Sequence, residues 1–257
     1  MAAGEPITEK WNRWLDVICK DLVDLHYYRT IYKEVCSMVD ANPAIQKPSS
    51  FYVLLASGYV TLVFIIIRRQ VSGVKFSDKG NTCRLTRDKD SISLAGLLFD
   101  ISTHPEEVSR QRFHRLYAGL GRSEARIDSE FEAAGVDAGR DFVDPDMVTS
   151  DLTALMRATR SLHKYTDKTI AHIDTHGWTG TIPTFGDLDD AIDTLSSVCG
   201  KYSKLIRTGD FWFEPIIPPT WKAVFRVPWI MAEPGEHETQ NAPKRDTGST
   251  SQMRDQP

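Results

Sequence analysis

Cysteine is scarce in this chain of 257 residues. Four occur, at 19, 36, 83 and 199, far apart and with no CxxC pair. That argues against a disulfide framework and reads as reduced thiols, mostly core filler, in a cytoplasmic protein. Charge of one sign is also missing: the formal net charge is −4, so the surface as a whole is no basic nucleic-acid binder. Any polyanion site must be local. There is no GxxxxGK[ST] loop to cradle phosphate and no GxSxG turn, which leaves two common enzyme classes without motif support. Asp187, Asp189, Asp190 and Asp193 do not have calcium-loop spacing and suit the first turns of a helix. The N-terminal MAAGEPITEKW lacks a basic stretch followed by an apolar one, so no secretory signal is expected. No internal repeat is visible and strand signals are sparse.

Long apolar runs are limited to one. Phe51 to Ile67 (FYVLLASGYVTLVFIII) carries no charge and is followed by Arg68-Arg69. It is at the short limit for crossing a bilayer and contains Ser57, Gly58 and Thr61. The expectation is a central helix buried on most sides, with no membrane partner. Arg68-Arg69 reads first as a solvated helix end and second as part of a phosphate site.

What is present is helical periodicity in an ordinary globular composition, 41% hydrophobic and 26% charged. Trp11, Leu15, Ile18, Leu22, Leu25, Tyr32, Val35 and Val39 predict a long helix from Thr8, its N-cap, to Ala41, ended by Asn42-Pro43. Ser49 or Ser50 caps the apolar helix to residue 70. Residues 72–90 read as a loop with a short extended piece at Cys83 to Thr86. Helices follow over 93–103, from Pro105 to about Gly119, and over 122–134, the last solvent-facing. His104 and His114 with Arg110, Arg112 and Arg115 read as exposed basic surface. Asp144-Pro145 opens one helix running to His176. Thr184 to Asp187 is a capping box before a helix carrying Leu188, Ile192, Leu195, Val198, Tyr202, Leu205 and Ile206. The predicted organisation is an all-α domain over 1–209, an extended aromatic, proline-rich arm over 210–231 and a disordered tail over 232–257.

One segment combines charge with a titratable group. At 100° per residue, Arg157, Arg160, Lys164, Lys168 and His172 fall within an arc of about 120° on a continuous helix. The apolar residues Leu152, Leu155, Leu162, Ile170 and Ile173 cluster on the other side. Lys168 and His172 are four apart and share a face, so a histidine stands beside fixed cations. Such a histidine can act as acid or base on RNA, whose 2′-hydroxyl is an internal nucleophile, while the arginines hold adjoining phosphates. The competing reading is a solvated basic face, which is common on helices. His172 and His176 have the spacing of a shared metal, but no third ligand is identifiable apart from His163 on the same segment, so no metal and no cofactor are expected.

The stretch KTIAHID, preceded by a helix, resembles the signature of the HEPN superfamily, and the abortive-infection AbiU-like branch most. WxxWLDVI and RTIYKEV resemble the opening helix of that branch. FYVLLASGYVTLVFIIIRRQ and SISLAGLLFDI resemble its buried helix and the next one. The resemblance spans roughly residues 8–206. It implies a helical bundle with two long antiparallel helices, a homodimer, and a metal-independent endoribonuclease of toxin or phage-defence type, with an antitoxin or other protein partner. His172 would be the acid/base residue, Lys168 would hold phosphate charge, and Arg157, Arg160 and Lys164 would bind RNA. The arginine of the family motif would fall at Thr166 or Asp167, and neither is a cation. The alternatives are a non-catalytic HEPN-like module that binds RNA, nucleotide or protein, and an interaction module that recruits a partner through its aromatic arm.

Overall fold

A computed structural model describes residues 6–46, 49–79, 82–88, 91–171, 179–208 and 211–227. The chain divides into two compact units, Met1–Pro215 and Ile216–Pro257. The first is mostly helical, as its periodicity predicts. Helix α1 spans Ile7–Asp40, α2 Ser50–Gln70, strands β1 and β2 Val74–Lys79 and Thr82–Arg87, α3 Leu94–Thr103, α4 Arg110–Tyr117 and α5 Glu124–Ala133. Helix α6 then spans Pro145–Ala158, α7 Arg160–Tyr165, and α8 Phe185–Ile206. A wide, π-helical stretch, Thr166–Ala171, follows α7.

Helix α1 starts after Pro6, and the expected Thr8 cap is not used; no side chain caps this end. Trp11, Leu15, Ile18, Leu22 and Leu25 are fully buried. Cross-links fix its pairing with α8: Lys33 meets Asp189, Arg29 meets Asp193, His26 meets Ser196, and Arg207 meets Asp16. Rising numbers on one helix match falling numbers on the other, so the two run antiparallel. The same logic holds for α2. Tyr32 stacks on Tyr59 with centroids 4.2 Å apart, and Asp21 binds Arg69. Asp189 and Asp193, early in α8, therefore serve as ion-pair partners of α1.

Several local signals act as expected. Ser49 and Ser93 cap α2 and α3 by accepting from Phe51 N and Gly96 N. Asp144 caps α6, with Pro145 at its first position. Thr184 and Asp187 form a reciprocal capping box on α8. These groups satisfy amides that have no acceptor inside their own helix.

Other expectations are corrected. Val74–Lys79 and Thr82–Arg87 are antiparallel strands, Val74 pairing with Arg87 and Lys79 with Thr82, where the sequence predicts a loop with a short extended piece at Cys83 to Thr86; only that piece, inside β2, is as read. Pro105–Glu107 is a separate 3₁₀ turn; α4 begins afresh behind the Ser109 cap. Helix α5 is not wholly solvent-facing, since Ile127 and Phe131 are buried. The basic patch of α4 is engaged: Arg110 and His114 both bind Asp128, and Arg112 donates to the carbonyls of Glu107 and Ile206. Helix α2 is not buried on most sides. It is long and apolar enough to cross a membrane, with mean hydropathy 2.2, yet 28% of that window is buried.

In the arm, Phe213 stacks on His26 at 6.0 Å and Arg207 lies over Phe211 at 5.5 Å, both within the first unit. The second unit is not extended throughout. Pro219–Arg226 is a 3₁₀ helix, for which Pro219 at the first turn is preset. Inside it, Trp221 meets Phe225 edge-on at 5.9 Å. The expected tail, 232–257, lies outside the described residues.

Candidate nucleic-acid interface

The helix from Asp144 to His176 is not continuous. Helix α6 ends at Thr159, whose backbone leaves helical geometry at φ −98° and ψ 0°. Thr159 and Thr166 are both buried, and each hydroxyl donates to the carbonyl four residues back, Leu155 and Leu162, at 2.8 Å. Threonine in this back-bonded form bends helices, and the chain beyond Thr166 opens into the wider π turn. The single basic arc at 100° per residue is thereby broken.

The consequence is a redistribution of the expected site. A groove of about 1020 Å³ runs between the C-terminal end of α2, the β1–β2 pair, and α7 with the turn after it. Arg160 and Lys164 line it. Arg157 and Lys168 are exposed but lie outside that lining. His172, with Asp174 and His176, lies outside the described residues, so the catalytic assignment rests on sequence.

In place of Arg157 and Lys168 the groove gains cations from distant sequence. Arg68 and Arg69 enter from α2, Lys75 from β1 and Arg84 from β2. Six Lys and Arg side chains stand against two carboxylates, Asp88 and Asp167, an excess of four positive charges on a chain whose net charge is −4. Among the described residues, Arg84, Arg160 and Lys164 have no acidic partner within ion-pair distance. Lys75 pairs with Asp88 at 2.6 Å. Arg69 is turned toward the buried carboxylate of Asp21, to which its Nε donates at 2.6 Å. Walls of low polarizability beside such an excess focus the field into the cleft.

At the α7 end sits a group that sequence reasoning did not assemble. Asp167 lies between Arg68 Nε at 2.5 Å and His163 Nδ1 at 3.5 Å. The sequence hint was the i, i+4 spacing of His163 and Asp167; the arginine, from another helix, gave none. Burial holds the His163 imidazole below its ordinary value of 6.5; Asp167 opposes this and Arg68 adds to it. His163 is thus neutral at neutral pH. Since its folded value lies below the unfolded one, its stabilising contribution is present above about 6.5 and is lost as pH falls. A phosphate in the groove favours the imidazolium, so RNA affinity is expected to rise as pH is lowered from about 8 to about 5. Fluorescence anisotropy with a labelled oligoribonucleotide checks this. The extra rise should vanish in His163→Asn, and an identical profile in the variant removes the assignment.

The arrangement can hold several adjoining phosphates. No group of three or more His, Cys, Asp or Glu side chains with metal-binding geometry occurs among the described residues. Set against known proteins, the chain matches no family model, no curated protein and no solved structure.

Proposed function

We propose that the groove binds RNA and that the chain is a HEPN-like, metal-independent endoribonuclease working in the cytoplasm. The observation that carries this is the local excess of cations around a cleft of about 1020 Å³ in a net acidic protein. Arg160, Lys164 and Arg84 would hold successive phosphates, with Arg68 at the α2 wall. The segment that follows the π turn carries His172. There the imidazole would take the 2′-hydroxyl proton, O2′ would attack the adjacent phosphorus, and the P–O5′ bond would break as the 5′-oxygen regains a proton. The products would be a 2′,3′-cyclic phosphate and a 5′-hydroxyl. Lys168, next to the segment, would neutralise charge as a point cation in place of the planar fork of arginine.

A second reading, RNA binding without cleavage, is favoured by a specific observation. Neither Thr166 nor Asp167, the two positions where the family motif would carry arginine, is a cation, and Asp167 is an acid held by Arg68. Purified protein incubated with RNA in EDTA separates the two readings. Cleavage leaving cyclic phosphate ends, lost in His172→Ala with binding retained, is the expected result. Cleavage that persists unchanged in His172→Ala sinks the catalytic assignment, and binding without any cleavage supports the second reading.

A further inference from the structure

Two of the four cysteines meet in the core although they stand 180 residues apart in the chain. Cys19 is on α1 and Cys199 on α8, and their sulfurs are 3.8 Å apart. Both are free thiols. The hydroxyl of Ser203, one turn after Cys199, lies 3.7 Å from Cys19 Sγ and 3.8 Å from Cys199 Sγ. A cation completes the group. Arg207, which ends α8, donates from Nη2 to Cys19 Sγ at 3.0 Å and from Nη1 to Asp16 of α1 at 2.7 Å. Its guanidinium also lies over Phe211 at 5.5 Å.

A cysteine that only fills the core gains nothing from such a neighbour, because bringing a guanidinium to a neutral sulfur costs solvation. Against a thiolate the same contact is favourable. The two thiols are also unlike. The bond with Cys199 holds the Cys19 thiol below its ordinary range, with Ser203 and Arg207 adding to this and burial opposing it. The bond with Cys19, together with burial, pushes the Cys199 thiol well up. One sulfur is therefore suited to attack and the other keeps its proton. Both are buried, at 2% and 0% exposure, whereas the Arg207 side chain is 23% exposed. Arg207 sits where the backbone leaves helical geometry, at φ −137° and ψ 161°, and reaches from that partly exposed position to the sulfur. A small oxidant suits this approach better than a bulky disulfide does.

We propose that Cys19 and Cys199 are a hydroperoxide-reactive dithiol that closes to a reversible disulfide between α1 and α8, with Arg207 as the positioning residue for Cys19. The Cys19 thiolate attacks one oxygen of hydrogen peroxide. The S–O bond forms, the O–O bond breaks, and the leaving hydroxide takes the Cys199 proton to become water. The Cys199 thiolate then attacks the Cys19 sulfur. The S–S bond forms, the S–O bond breaks, and the second hydroxide takes up from solvent the proton that Cys19 had released. Two thiols are oxidised and one peroxide is reduced to two waters. Closing from contact to a bond of about 2.05 Å needs a side-chain movement of under about 2 Å. A transient bond of this kind is the form that disulfides take in a reducing compartment. None of Cys19, Cys199, Ser203 and Arg207 lines the groove, so the pair and its test are independent of the RNA reading.

The test treats the reduced full chain with hydrogen peroxide in slight molar excess. The protein is then unfolded in alkylating reagent and its cysteines are mapped by mass spectrometry. The expected result is a link between the Cys19 and Cys199 peptides of one chain, opened by dithiothreitol. The melting temperature should rise with the link by about 5–10 °C, because it closes a loop of 180 residues in the unfolded chain. In Cys199→Ala the second thiol is gone, and Cys19 should be trapped as the sulfenic acid and captured by dimedone. In Arg207→Gln the pH midpoint of the peroxide reaction at Cys19 should rise; a change of access alone alters the rate and not its midpoint.

Recovery of Cys19 and Cys199 both alkylated after peroxide overturns the proposal, and mapping of the untreated variants' parent decides this without any substitution. A link from either sulfur to Cys36, to Cys83 or to a second chain also overturns it. Cys36 is seventeen residues further along α1 than Cys19, about 25 Å at the helical rise, too far to join the pair in the folded chain. A melting temperature that falls on oxidation would mean that the sulfurs meet only in a distorted chain, and it overturns the proposal as well. A midpoint left unchanged in Arg207→Gln removes Arg207 from its positioning role.

Discussion

Reversing three charges, Arg84→Glu, Arg160→Glu and Lys164→Glu together, is expected to lower affinity for single-stranded RNA at least a hundredfold. The groove carries six cations and two carboxylates; exchanging three cations for acids turns an excess of four positive charges into an excess of two negative ones. Each lost phosphate contact also removes counterion release, so the salt slope of log K should flatten by about 0.7 per contact. All three side chains are exposed and among the described residues lack acidic partners, so the melting temperature should move by no more than a few degrees. Lys20→Glu, on exposed α1 surface, is the single-reversal control and should leave affinity nearly unchanged. A loss in the control equal, per reversed charge, to that in the triple variant would mean that net charge, and not this groove, draws the RNA.

Gln70→Leu carries the largest expected cost to stability, about 3–5 kcal/mol. Gln70 is fully buried at the end of α2. Its Nε2 donates to Asp21 Oδ2 at 2.5 Å, and its Oε1 accepts from Leu94 N at 3.1 Å. Leu94 opens α3, so its amide has no acceptor within the helix. Leucine fits the volume but leaves that amide unpaired and takes a donor from the buried carboxylate of Asp21. One side chain thus joins α1, α2 and α3, the frame on which the groove stands. Thermal unfolding should show a drop of roughly 10 °C for a chain of this length. A shift within experimental error would show that water can replace both bonds and that Asp21 does not depend on Gln70.

The helices were largely legible in the sequence. Trp11, Leu15, Ile18, Leu22 and Leu25 recur with the helical period because one face of α1 must leave water, and all five are fully buried. Ser49, Ser93, Asp144 and Thr184 announce helix starts because their side chains accept from orphan amides, a bond spanning two or three residues. The strand pair is poorly legible, although Gly80-Asn81 between two six-residue runs is a recognised signal, because Lys, Asp and Arg dilute the apolar alternation. The break at Thr159 is illegible for a different reason. A back-bonded threonine and an ordinary helical one have the same local sequence, and only burial against a neighbouring element selects between them.

For the candidate site, Arg160 and Lys164 could be read as a basic face because helical neighbours are near in sequence. Whether that face was solvated or part of a cleft could not be read, because the answer lies in Arg68, Arg69, Lys75 and Arg84, some 76 to 96 residues away from Arg160 or Lys164 in the chain. Local chemistry, capping and periodicity act over one turn and are written in consecutive residues. The groove and the Arg68–Asp167–His163 cluster arise from which faces pack together, and that depends on the free energy of the whole core. The sequence by itself determined the helical class and the composition of each face; the tertiary structure alone decided which cations converge, because that depends on which faces pack against one another.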